Sequence, residues 1–435
     1  AFQFFQADEF YKALDYYKLA GDKAKVLFAN DNAIFCYDRV KEIIGLLGLK
    51  DEKYNKLHEE TSLNLCDVYE LVSEYDKMLV EAKIGIELGG RGRDAKLESL
   101  FLEKLGLSYI YLGRFKDAYD SLNSALEINK ANSFHDLITF NYADLGLLNA
   151  KEQNYEMAIY YYNLGYNIGL ERENFKGIMK CLINLALMHK DLGNYQLALD
   201  YLKNAMAFAV SHKNQRDEVI VKNYLGELYA SLNDTNKAGR WFKEAYDLSS
   251  EISFIEMNII ALTNLGRLNI LLSDREQMRH WLTFIETKEI LGLSKETERV
   301  MEVTKIDVLK ALGWEDEAKE KIDGLIEKCK ANRDTKTELL ANLLMASIDK
   351  KSITWARNAL RLAEGFNLPE LLWRSQYAIG KALLENGQGD SAFDFFRRAY
   401  FVMNDLKERL RDDSLRNSFI NLTEYRHLTS ILEEK

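Results

Sequence analysis

The side chains of this 435-residue chain that could make or break bonds are few and scattered. Its six histidines, His58, His135, His189, His212, His280 and His427, show neither an H-x-x-x-H nor an H-E-x-x-H spacing. No two imidazoles are therefore set to grip a metal ion from one helix face. Cys36, Cys66, Cys181 and Cys329 include no C-x-x-C pair, and neither they nor the serines have a recognisable base to activate them. The run Gly89-Gly90-Arg91-Gly92-Arg93 invites a phosphate-loop reading, and its amides and arginines could hold an anion at a helix start. However, no G-x-x-x-x-G-K-[ST] follows it and no strand pattern precedes it. The expectation is a chain without catalytic residues, metal or cofactor.

A different chemistry recurs. Asn64, Lys104, Asp144, Asn184, Tyr224 and Asn264 stand 40 residues apart, each just before a leucine. Positions one turn away add Lys180, Asn223, Glu227 and Arg267. An asparagine offers donor and acceptor together, which suits a peptide backbone, although the same groups could bond neighbouring helices or water.

These polar residues ride on a repeated pair of helices. Leu65, Leu105, Leu145, Leu185, Leu225 and Leu265 are followed by Cys66, Gly106, Gly146, Ala186, Gly226 and Gly266, one position sampled six times. Further on come Met78, Ala118, Ala158, Ala198, Ala238 and Met278, then Ala82, Leu122, Tyr162, Leu202, Phe242 and Leu282, then Gly85, Ala125, Gly165, Ala205, Ala245 and Ile285. Small, large, small at spacings of four and three marks one face of a helix. Tyr162 is thus a core residue and His189, at a packing position, a core filler. A fixed period of this length points to stacked supersecondary units rather than one globular core.

Composition agrees. Hydrophobic residues make up 47% of the chain and Pro369 is its single proline, so an almost wholly helical, all-α fold is expected. The net charge of −10 is spread along the chain with basic and acidic residues interleaved, which argues against a nucleic-acid-binding stripe. No apolar run reaches transmembrane length, and the dispersed cysteines read as reduced thiols of a cytoplasmic protein. The phase divides the chain into irregular repeats over 1–56, six regular units over 57–289, three divergent ones over 290–403 and a capping helix or two over 404–435. A helix from Tyr11 to Phe28 is expected despite Gly21, then a turn and cap at Asn30-Asp31-Asn32 before a helix from Ala33 to Leu47. Turns between units are expected at Gly89 to Gly92, Asn129 to Asn132, Gly169 to Asn174, His212 to Gln215, Ser249 to Ser253 and Gly292 to Ser294. Pro369 is placed to begin a helix.

Leu185-Ala186, His189, Gly193, Tyr195, Ala198, Leu202 and Ala205 resemble the tetratricopeptide (TPR) signature, and the likeness covers most of the chain. It departs in a period of 40 rather than about 34 and in lacking the proline that often ends a unit. The longer unit is similar to that of peptide-responsive bacterial regulators and of adaptors of the kinesin-light-chain and Leu-Gly-Asn-repeat type. The resemblance implies an α-solenoid, a right-handed superhelix of antiparallel helix pairs whose first helices line a concave groove. It also implies that the polar residues before each leucine serve a peptide or protein partner, in a non-enzymatic interaction scaffold. Tyr11 to Val40 and Leu406 to Phe419 look like tetratricopeptide regions that follow a STAND-type ATPase module. That likeness implies an alternative, the sensing or autoinhibitory arm of a larger bacterial signalling ATPase, kinase or transcription regulator, with other domains of the same protein as partners.

Overall fold

The computed structural model describes residues 1–48, 52–89, 94–287, 293–332 and 334–433, and every regular element among them is a helix. The first are α1 (Phe2–Gln6), α2 (Phe10–Val26), α3 (Asn30–Leu46), α4 (Glu52–Leu71), α5 (Tyr75–Gly89), α6 (Ala95–Tyr111), α7 (Phe115–Ala131), α8 (His135–Lys151) and α9 (Tyr155–Glu171). There follow α10 (Phe175–Asp191), α11 (Tyr195–Ser211), α12 (Gln215–Ser231), α13 (Thr235–Glu251), α14 (Ile255–Leu271), α15 (Arg275–Thr287), α16 (Lys295–Leu312) and α17 (Glu315–Asn332). The last are α18 (Thr335–Ile348), α19 (Ile353–Phe366), α20 (Pro369–Glu385), α21 (Gly389–Glu408), α22 (Asp413–Ile420) and α23 (Thr423–Glu433). The fold is an all-α, TPR-like solenoid. Its helices group into two compact units, Ala1–Asn184 with Ile290–Glu296, and Leu185–Glu289 with Thr297–Lys435.

One backbone device produces the 40-residue period. Helices α6 and α7, like α13 and α14, have 17 residues, and three residues join each to the next. Two such modules make one repeat. After α8, Glu152 ends the helix, Gln153 takes a left-handed φ of 64°, and Asn154 caps α9. The Gln153 amide donates to Ala150 O at 3.1 Å and the Asn154 amide to Asn149 O at 2.8 Å. This is a Schellman closure, which satisfies carbonyls that the helix end would otherwise orphan. The left-handed position recurs at Ser133, Glu173, Lys213, Asn233, Ser253 and Ser273. A turn this short forces successive helices antiparallel.

Several turns are displaced from where the sequence suggests, one earlier and three later. Asn30-Asp31-Asn32 opens α3 instead of preceding it, with Ala29 as the cap. Asn129 to Ala131 finish α7, Gly169 lies within α9, and Ser249 to Glu251 finish α13. Local turn-forming types are overridden there because buried Asn129 and Ser249 occupy packing positions. The expected turn at Gly90 to Gly92 and the start of that at Gly292 fall outside the described residues. Pro369 occupies the first turn of α20.

The small positions let helices approach. A Cβ placed on Gly106 would come within 2.6 Å of Leu122, and one on Gly226 within 2.4 Å of Phe242. Leu122, Tyr162, Phe242 and Phe396 are all buried. His189 is buried too, its ring stacked on Tyr201 with 5.4 Å between centroids. Cys36, Cys66, Cys181 and Cys329 are buried free thiols. First helices also touch first helices, α4 with α6 and α6 with α8 in one unit, α12 with α14 and α18 with α20 in the other. First-helix surfaces are therefore contiguous over α4, α6 and α8 in the first unit and within the pairs α12–α14 and α18–α20 in the second.

In the second unit the C-terminal helices return to the turn after α10. Arg409 Nη1 donates to Leu192 O at 3.0 Å, and the Leu406 side chain fills the space beside Gly193, where a Cβ would stand 2.1 Å from it. Phe419 faces Tyr195 at 6.4 Å between ring centroids, Asn233 Nδ2 donates to Ser418 O, and Lys336 pairs with Asp191 at 3.3 Å.

The close approach at Gly226 can be checked against an open one. Gly324, inside α17, has nothing within 4 Å of the Cβ it lacks. Gly226→Val is expected to lower unfolding free energy by about 2 kcal/mol through overpacking. Gly324→Ala is expected to raise it by roughly 0.5–1 kcal/mol, as loss of a helical glycine does. Urea denaturation followed by circular dichroism measures both, and equal effects at the two sites would refute the packing account.

Candidate functional site

Oppositely charged residues on successive first helices stitch the strip together. In the first unit, Lys25 at the end of α2 reaches α4, its Nζ 2.7 Å from Asn64 Oδ1 and 2.6 Å from Asp67 Oδ2. Lys104 of α6 reaches back to α4, 2.7 Å from both Asp67 and Glu70. Lys180 of α10 reaches Asp144 of α8 at 2.6 Å. In the second unit, Lys190 of α10 pairs with Glu227 of α12 at 3.0 Å, and Asn264 Nδ2 of α14 donates to the same carboxylate at 3.5 Å. The Lys104 side chain is only 12% exposed and that of Asp144 not at all, so these pairs are screened far less than surface ion pairs.

The ten residues singled out by phase divide by depth. Asp144, Asn223 and Asn264 are buried. Asn64, Lys104, Lys180, Asn184, Tyr224 and Glu227 are half-buried, and Arg267 is exposed. The structure brings Asp144 to Lys180 and Glu227 to Asn264. Asn223 instead turns to its own helix, donating to Val219 O at 3.4 Å. Asp67, Glu70, Glu103 and Lys25 escape a search at the 40-residue period. Partners on successive first helices lie at varied intervals, 34 for Lys104 with Glu70 and 42 for Lys25 with Asp67, so no single period finds them. Long side chains that lean along the helix before crossing explain the spread.

The first unit holds an unequal set of charges. Among the described residues, Asp67, Glu70, Glu103 and Asp144 face the cations Lys25, Lys104 and Lys180. Burial, and next the Asp144 carboxylate, push Glu103 up to about 8. A proton on Glu103 cancels the excess negative charge. Glu103 Oε2 and Asp144 Oδ2 have no hydrogen-bond partner among the described residues, as suits a pair that cannot both ionise cheaply. Burial acts against the charge on Lys104, but Glu70, Asp67 and Glu103 hold its pKa well above the ordinary lysine value. Among the described residues no group of three or more His, Cys, Asp or Glu is placed to hold a metal ion, and no helix is long and apolar enough to cross a membrane.

The tetratricopeptide repeat family model matches residues 178–251, and a second tetratricopeptide model matches 101–132. The chain carries tetratricopeptide repeats. Among solved structures it is similar to the Rap conjugation gene regulator of the plasmid pLS20, in complex with the Phr* peptide, at 14% identity and a TM-score of 0.57. That alignment covers 82% of this chain and 96% of the other. It is also similar to NprR in complex with its cognate peptide NprX, at 15% identity and a TM-score of 0.52, covering 82% of this chain and 98% of that one. These likenesses are of fold. No curated protein matches by sequence.

The raised Glu103 predicts a pH dependence. Glu103 is raised in the folded state above its ordinary 4.5, so the folded chain holds a proton that the unfolded chain releases. The stability this contributes is complete below about 4.5 and is lost as pH rises through about 8. Glu103→Gln removes the titration while keeping the shape. The variant is expected to melt close to wild type at pH 5 and several degrees above it at pH 8.5. Melting curves that stay parallel across this range would refute the assignment of that proton to Glu103.

Proposed function

We propose that this tetratricopeptide array is a non-enzymatic scaffold that binds a peptide or protein partner along the concave face lined by its first helices. The observation that carries the reading is the first-helix strip itself. It combines half-buried charged side chains held in place by their neighbours with side chains that remain open to solvent. Preorganised polar groups lose little freedom on binding, so their hydrogen bonds count toward affinity. Asn64, Lys104, Lys180, Asn184, Tyr224, Glu227 and Arg267 supply the contacts. Asp144, Asn223 and Asn264 lie behind them, and Asp144 and Asn264 brace Lys180 and Glu227.

The fold shared with the Rap and NprR peptide complexes supports a peptide as the ligand class. Asparagine carboxamides along such a strip would bond the main chain of an extended segment, while the ion pairs would select its side chains. The protein acts by holding its partner in a cytoplasmic setting.

Selection of a random peptide library on the purified chain tests the proposal. Selected peptides should bind with saturable heat in calorimetry, and Asn184→Ala with Arg267→Ala should weaken them about tenfold or more, the scale of two lost polar contacts. Failure to select any peptide, or full affinity in the double variant, would overturn it.

A further inference from the structure

A second feature lies away from the first-helix ladder, in the second unit. A cleft of about 300 Å³ opens between α19 and α21 over the side of α20. Leu360, Ile379, Leu383 and Phe395 form its apolar walls. Arg357 and Arg361 stand along one edge, and Gln388 and Ser391 along the other. The volume is at the small end of the range for ligand sites, which combine apolar walls with a few convergent polar groups.

The two arginines set this cleft apart. Several neighbouring arginines pair with carboxylates, Arg374 with Glu370, Arg397 with Asp394 and Arg409 with Asp405. Arg357 and Arg361 have no ion pair or hydrogen bond among the described residues. They sit four residues apart on α19, where like charges repel, and this local cost has no intramolecular compensation. Glu364, the third charged lining residue, stands one turn beyond Arg361 without pairing with it and bounds the far end. The Gln388 side chain makes no capping bond to α21. The Arg398 guanidinium lies 5.2 Å from the ring centroid of Phe395, adding positive charge beside the apolar wall.

We propose that this cleft binds a small organic oxyanion, a carboxylate or phosphate monoester carried on an apolar or aromatic body. Two guanidinium forks present parallel N–H donors that match either oxyanion. Gln388 and Ser391 add neutral donors from the opposite edge. The ring or aliphatic body lies against the half-buried Leu360 and Phe395, with buried Ile379 and Leu383 forming the floor beneath.

Titration calorimetry of the whole chain with three probes tests the assignment: phenyl phosphate, N-acetylphenylalanine and inorganic phosphate. At least one organic anion should bind saturably, and whichever binds identifies the head group. Inorganic phosphate should bind at least about tenfold more weakly, because it leaves the apolar wall unused. Arg357→Gln with Arg361→Gln should cost about tenfold or more in affinity, with a melting temperature no lower than wild type because both side chains are exposed and their mutual repulsion is relieved. Arg397→Gln, which removes a nearby arginine outside the lining, should leave binding as it is. The proposal fails if neither organic anion binds, if the double arginine variant binds as tightly as wild type, or if inorganic phosphate matches the organic probes.

Discussion

The three-residue Schellman turn is the constraint on which the rest of the structure depends. It holds a 17-residue helix to the next with no slack, and its repetition makes the phase of residues 40 apart identical. Side chains at equal phase then meet equal surroundings. Small residues fall opposite large ones, and polar residues of first helices fall on one strip. The cost is a backbone in the left-handed region at most turns, roughly 1–2 kcal/mol each for a residue with a Cβ. The array spreads that cost among Ser133, Gln153, Glu173 and Lys213 and reserves glycine for few turns, such as Gly113 and Gly193.

The same economy decides what can be read from the chain without coordinates. The helix pairs are legible because packing repeats in residue type: Gly226 recurs with Phe242 as Gly146 does with Tyr162. The turns are less so, because Gln153 or Lys213 in a left-handed conformation leaves no mark of type, whereas glycine and asparagine inside helices attract attention wrongly. Asn30 and Asn129 show that error. Both are buried, and Asn129 accepts from Ser99 and donates to Asn141 instead of bending the chain.

The polar strip was half legible for a related reason. A search at 40 residues finds equivalent positions, but chemistry between repeats joins inequivalent ones, from 34 to 42 apart. Lys104, Asp144 and Lys180 are visible as polar residues in phase. That Asp67, Glu70 and Glu103 belong to the same network follows only from how far a lysine stem leans. Burial then changes their meaning, since a carboxylate beneath the strip orients a cation rather than greeting a partner. Such braced charges hold a fixed shape that free surface lysines do not. The cleft beside Arg357 had no sequence signal, because its residues come from three helices with no shared phase.

The return of the C-terminal helices to the turn at Gly193 changes how the second unit must assemble. A linear repeat array needs only nearest neighbours, so each pair can settle as soon as it leaves the ribosome. Here Arg409 meets Leu192 across 217 residues, and Ser418 meets Asn233 across 185. Closing so long a chain segment carries an entropic cost and raises contact order above that of an open stack. The early helices of the unit therefore wait, with the surfaces of Gly193 and Tyr195 uncovered, until α21 and α22 have been synthesised. Arrival of Leu406 and Phe419 is thus a late folding step for this half of the molecule.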